Sequence, residues 1–244
     1  MRFRLRRHPF AVSAHFRHSL VLAYALPASA LEPLLPPTLE PDRHGDLGFA
    51  AAAFVQAERM RPSSFPRALG LDFFLGGYRI FVRVADRPSL RGLYILRSDT
   101  DRRLLTFFGN LFTSYRYRTV DAGFRLEDEL LHVVVRPGVS VTADLGRIPA
   151  PLPEGSPFGT LEQARRFAGP LPYTFHREPE TGRLLSVRGT RSEWDPQPVA
   201  VEVRDLDFIS AGLFGAEPVL ANAFYVSNID YRWERGRLLT TERG

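Results

Sequence analysis

The chain has 244 residues, 44% of them hydrophobic and 12% aromatic, with 32 basic against 27 acidic side chains and a net charge of +5. All 32 basic residues are arginine and cysteine is absent, which excludes a lysine Schiff base, a thiolate nucleophile, disulfides and cysteine-built metal clusters. The acidic residues are interspersed with the arginines, so the charge suits anion steering better than a nucleic-acid groove.

The 19 phenylalanines supply a core of the size one β-rich domain needs, and residues 1–244 read as a single domain. Arg2, Arg4, Arg6 and Arg7 alternate with Phe3 and Leu5 at the start, a cluster short enough to be a solvated arm. The apolar run 20–30 ends in Ala28-Ser29-Ala30 and has the outline of a secretory leader, but Tyr24 and Pro27 interrupt it. It is read instead as part of a mature cytoplasmic protein: a strand over 16–26, then a helix over 28–35 stopped by Pro36-Pro37. A long strand is predicted at 47–59, and further strands at 78–84 and 90–97. Leu104, Leu105, Phe108 and Phe112 have helical spacing, with Asp99 or Thr100 as the cap.

Alternation resumes at 114–126 and 130–136, joined through Glu127-Asp128-Glu129 as a hairpin with a solvated tip. A strand at 139–145, a proline-rich connection at 149–157, a helix at 160–167 capped by Thr160, and strands near 183–189, 199–203 and 221–233 complete the reading. The fold class is α+β, predominantly antiparallel β with a few short helices. No apolar stretch reaches the roughly 18 to 20 residues a spanning helix needs.

The sequence lacks the nucleophile elbow, the phosphate-binding loop, the dinucleotide fingerprint and the zincin motif. His15 and His18 fall on opposite faces of their strand and give no metal pair, and His44 between Asp42 and Asp46 reads as a polar turn. On the 47–59 strand, Gln56 and Glu58 share one face with small alanines nearby. That face either looks into a pocket or leaves Glu58 to pair with an arginine at the strand end. In Tyr115-Arg116-Tyr117-Arg118, strand alternation puts two aromatics on one face and two guanidiniums on the other.

Several runs together resemble one family: Phe16-Arg17-His18-Ser19-Leu20 leading to Pro27, Leu34-Leu35-Pro36-Pro37, Gly77 to Arg83, Leu93 to Asp101, and Leu111 to Arg118. They are similar to the DUF2071 family of uncharacterised bacterial proteins, whose fold resembles that of acetoacetate decarboxylase. The resemblance covers most of the chain and implies a closed or partly closed β-barrel or cone with a small interior. In true decarboxylases of that superfamily a buried lysine follows a helix equivalent to 101–112 and attacks the keto acid. Arg116 and Tyr117 stand at that place here, so the imine route is lost.

The resemblance also makes Arg79 the leading ligand candidate, because it matches an arginine of the family's strand motif and a guanidinium grips a carboxylate bidentately. Arg116, Tyr115, Arg17 and Gln56 are the further ligand-binding candidates, and Tyr117 and Glu58 the candidate proton carriers. The expected partner is a small organic acid, with no cofactor, no metal, no nucleic acid and no membrane. Self-association is compatible with this reading. Two functions remain open on the sequence: acid-base chemistry on a small carbonyl acid, or binding without turnover.

Overall fold

Alternating segments with few internal breakers let the central strands run long. In the computed structural model, which describes residues 6–169, 171–178, 181–210 and 212–239, β1 (Val12–Pro27) and β3 (Leu47–Pro62) each have 16 residues. β4 (Leu71–Val84) and β5 (Arg87–Thr100) have 14 each. Shorter pieces follow: β2 (Leu39–Pro41), β6 (Tyr117–Thr119), β7 (Asp121–Glu127), β8 (Leu130–Arg136), β9 (Val139–Asp144), β10 (Tyr173–Arg177), β11 (Leu184–Arg191), β12 (Gln197–Pro198) and β13 (Ala200–Leu206). The long β14 (Val219–Trp233) and the brief β15 (Arg237–Leu238) end the set. The α-helices are α1 (Ala28–Leu31), α2 (Arg103–Phe112), α3 (Leu161–Arg165) and α4 (Asp207–Ser210).

Seven strands close on themselves in the order β14-β1-β3-β4-β5-β10-β11, with β11 pairing back to β14. All these pairs are antiparallel except β5 with β10. A second sheet, β13-β9-β8-β7, covers one outer face of the ring. Because both faces of β1 and β3 are covered, these strands bury nearly every central residue. Leu20, Leu22, Ala50, Ala52 and Phe54 pack outward against Leu131, Val133, Val141 and Ala143 of the second sheet. Val21, Ala23, Ala51 and Ala53 belong to an inner cluster with Phe49, Phe81, Phe158 and Phe167. Alanines on the inner face leave the room those rings occupy.

Most predicted elements are present, with three differences. The helix expected to be capped by Asp99 or Thr100 starts at Arg103, without a side-chain cap, while both of those residues are buried in β5. The expected strand over 114–126 is broken. Arg116 takes φ 53°, β6 runs parallel to β5, and β7 joins the other sheet. The predicted arm is pinned: Arg7 pairs with buried Glu178 at 2.8 Å, while Arg2 and Arg4 lie outside the described residues. The Glu127-Asp128-Glu129 tip is exposed as expected, with Asp128 and Glu129 at φ 46° and 67°, the left-handed pair a two-residue hairpin turn requires. Thr160 caps α3 by accepting from the Gln163 amide.

The Asp42 turn is more than a polar loop. Its carboxylate is wholly buried and accepts from Arg83 of β4 at 2.6 Å, from Arg91 of β5, and from Arg166 after α3 at 3.2 Å. One acid thereby ties two ring strands to the segment that closes the inner core. Asp42→Ala removes the anion that three guanidiniums share. Its expected cost is about 3 kcal/mol, the low end for breaking a buried pair because the arginines keep some water. That lowers the unfolding temperature by about 6–12 °C, measurable by scanning calorimetry.

Candidate functional site

The inner aromatic cluster fills one end of the ring; the other end holds a cavity of about 580 Å³. A β-bulge between Phe16 and His18 shifts the alternation of β1, so that Val12, Phe16 and Ser19 all face it. β3 contributes Ala53 and Val55, β4 contributes Leu75, Gly77 and Arg79, and β5 contributes Leu93, Ile95 and Ser98. The helix α2 lies over the cavity through Leu104, Leu105, Phe108 and Phe112. The sequence showed this stripe as helical, but it faces a cavity rather than core, and no residue of α2 is buried. The His8 amide donates to Phe112 O at 2.9 Å and Phe10 packs edge-on against Phe112, so the N-terminal segment anchors the end of the helix.

Against this apolar wall stands Arg79. Its Nε is sealed and makes no hydrogen bond, and the part of the residue that remains accessible faces the cavity. It has no hydrogen bond or ion pair among the described residues. Burial pulls its pKa from 12.5 down to about 10, opposed only by its electrostatic interaction with Tyr231, so the guanidinium is still charged at neutral pH. No Asp or Glu lines the cavity among the described residues.

Three tyrosines stand on the same wall. Tyr115 and Tyr117 come from the segment after α2, and Tyr231 from β14. Burial pushes Tyr117 up to about 12 and raises Tyr115 and Tyr231 as well. All three remain protonated donors. The Tyr115 hydroxyl has no hydrogen-bond partner among the described residues. Tyr117 is held at its backbone by Asn110, which accepts from its N–H at 2.8 Å and donates to its carbonyl at 2.9 Å. Its ring lies where a side chain at Gly109 would collide, so α2 can pass close only with glycine there. Behind Tyr115 stands His176 in an edge-on contact, and His8 is tilted against the same ring.

Of the residues singled out in the sequence, the fold brings Arg79, Tyr115 and Tyr117 together on the cavity wall. It places the others elsewhere. Gln56 and Glu58 sit on the opposite face of β3 from Ala53 and Val55, because their even positions point away from the ring interior. Glu58 pairs with exposed Arg17 at 3.3 Å. Arg116 is exposed at its left-handed turn, and Arg118 reaches buried Asp99 at 3.0 Å as a cross-strand pair. His15 and His18 have separate partners, Asp230 and Tyr225. Sequence reasoning missed Tyr231 and His8. Tyr231 falls on the alternation of Ile229 and Trp233 within β14, a signal that marks a shared face and not what the face lines.

A seven-strand ring backed by a second sheet and enclosing such a cavity is the acetoacetate decarboxylase-like fold. The acetoacetate decarboxylase of Legionella pneumophila superposes with a TM-score of 0.65 at 12% identity, over 95% of this chain and 88% of that one. The enduracididine biosynthesis enzyme MppR, in complex with pyruvate, gives 0.66 at 14%, over 96% and 92%. An acetoacetate decarboxylase-like enzyme from Sphingomonas wittichii gives 0.62 at 15%, over 96% and 94%. The sequence model of DUF2071, described as an uncharacterised conserved protein, matches residues 13–230, and the chain belongs to that family. No curated protein matches it.

His8 and His176 have pKa values pulled from 6.5 to about 4, chiefly because burial penalises the charged ring. The unfolded chain takes up these protons near pH 6.5 and the folded chain only near pH 4. Their contribution to stability is therefore complete above pH 6.5 and lost as the pH falls toward 4. The expected loss is about 1–2 kcal/mol per histidine by pH 5, above the range where carboxylates titrate. Thermal unfolding between pH 7.5 and 5 checks this: the wild-type midpoint should fall, and the slope should flatten in the H8N/H176N variant.

Proposed function

We propose that this protein binds a small organic acid in the ring cavity, with the ligand carboxylate against Arg79, and that it does so without covalent chemistry. The observation that carries the reading is a guanidinium without a hydrogen bond or ion pair among the described residues, on a mostly apolar wall. Buried charges in folded proteins are paired, because an isolated one forfeits several kcal/mol of solvation. A ligand carboxylate would supply the missing charge and two parallel acceptors. The protonated hydroxyls of Tyr115, Tyr117 and Tyr231 are further donors on the same wall, suited to a carboxylate or to a carbonyl oxygen. The pyruvate bound by the structurally similar MppR supports the acid class.

Binding without turnover is favoured over acid-base chemistry by what faces the ligand. Glu58 is on the wrong side of β3, and no other carboxylate lines the cavity among the described residues. The imidazole of His8 is there but, at a pKa of about 4, is a weak proton acceptor. Without lysine the imine step has no side-chain amine.

A panel of short carboxylic acids, keto acids and their neutral amides or alcohols tests the reading through thermal unfolding. At about 100 times Kd a ligand specific to the native state adds about 2.7 kcal/mol, or about 5–10 °C. The shift is expected for acids only and is expected to vanish in Arg79→Gln; equal shifts from acids and neutral analogues would overturn the assignment. A second expectation concerns chemistry: borohydride with acetoacetate leaves every side chain unmodified. A covalent adduct anywhere but the Met1 amine, read by mass spectrometry, would contradict it.

A further inference from the structure

The strand registers order the cavity from its mouth to its closed end. Met60 pairs with Leu71 at the outer edge of β3 and β4, and Leu75 pairs with Thr100 further in. Gly77, Ser98 and Tyr117 then form one row across β4, β5 and β6. Arg79, opposite Ile95, comes last before Phe81 and the packed inner cluster. From Leu71 to Arg79 the strand covers roughly 26 Å at about 3.3 Å per residue. Arg79 therefore sits toward the closed end, and the wall between it and solvent is mostly apolar, with Ser98 and Tyr117 in its middle row and Arg61 at the edge.

That wall is far larger than a carboxylate needs. At roughly 30 Å³ per water in the liquid, 580 Å³ corresponds to about 19 water-sized units, whereas a three- or four-carbon keto acid has six or seven non-hydrogen atoms. Toward the mouth the one charged lining residue among the described residues is Arg61, whose guanidinium already donates to the Phe65 and Arg59 carbonyls at 3.1 and 2.9 Å. Leu71, Leu75, Leu104, Leu105 and Phe108 carry no polar side-chain atom, and Leu71, Leu104 and Phe108 remain exposed at the mouth at 41%, 52% and 42%. Exposed large apolar residues that line one opening mark the path of an apolar ligand.

We infer that the ligand is a monocarboxylic acid with an extended apolar body of roughly 8 to 14 carbons, its carboxylate at Arg79 and its tail running out beneath α2. This inference rests on the assignment of the carboxylate to Arg79 and adds the nature of the rest of the molecule. It accounts for a guanidinium without a partner among the described residues and for the apolar side chains of Leu71, Leu75, Leu104 and Phe108 along the way out. It also accounts for a helix whose apolar stripe covers a cavity instead of packing into core.

Titration calorimetry with straight-chain acids from butanoate to tetradecanoate, each below its micelle concentration, and with the matching primary alcohols tests it on the full chain. Affinity is expected to rise by roughly fourfold per methylene and to level off near 12 carbons, with acids tighter than alcohols of equal length. Leu104→Gln, at an exposed position of α2, is expected to weaken dodecanoate by about tenfold. If acids bind but the affinity is flat with chain length, the extended ligand is overturned and the Arg79 assignment survives. If acids and alcohols rise together with no difference between them, the Arg79 assignment fails instead, and the inference falls with it.

Discussion

A guanidinium in a mostly apolar cavity without a counter-charge destabilises the chain that carries it, and among the described residues Arg79 has none. The contrast with the rest of the molecule is sharp. Asp42 has three arginines around it, Asp99 has Arg97 and Arg118, and Glu178 has Arg7. This chain pairs its buried acids with arginines again and again, yet no acid lines the cavity among the described residues. An unsatisfied charge of this kind persists in a fold when something outside the fold completes it.

The surrounding architecture keeps that site open. Alanines on the inner face of β3 make room for the aromatic cluster that plugs one end of the ring, and the plug ends next to Arg79. The bulge in β1 then turns Phe16 and Ser19 toward the same interior, and α2 roofs the open end without burying any of its own residues. The Asp42 network holds β4 and β5 to the segment after α3 at the plugged end. The mouth, by contrast, is built from partly exposed apolar side chains.

Much of the fold was legible in the sequence because alternation is a direct signature of strands whose two faces differ, and β4, β5 and β8 show it plainly. The family runs placed Arg79 on such a strand, and alternation put Tyr115 and Tyr117 on one side, where both line the cavity although only Tyr117 lies in a strand. The remaining misreadings share a physical origin. A one-residue bulge, or a single residue at positive φ such as Arg116, reverses which face a side chain occupies, and neither leaves a mark in composition. Gln56 and Glu58 drew attention as polar residues among alanines, yet both faces of β3 contain alanine and only the ring closure decides which is inside. Asp42 resembled any turn aspartate, since the three arginines that bury it come from positions 83, 91 and 166.

The account turns on whether Arg79 is unsatisfied in the empty protein, and the stability of Arg79→Met without ligand measures that directly. Replacing an unpaired buried cation by an apolar side chain of similar length should leave the unfolding free energy unchanged or raise it by about 1 kcal/mol or more, with stabilisation by octanoate lost. A variant that loses about 3 kcal/mol without ligand, in the manner of a broken buried ion pair, would contradict the account. Arg79 would then be paired within the fold and would not be waiting for an acid.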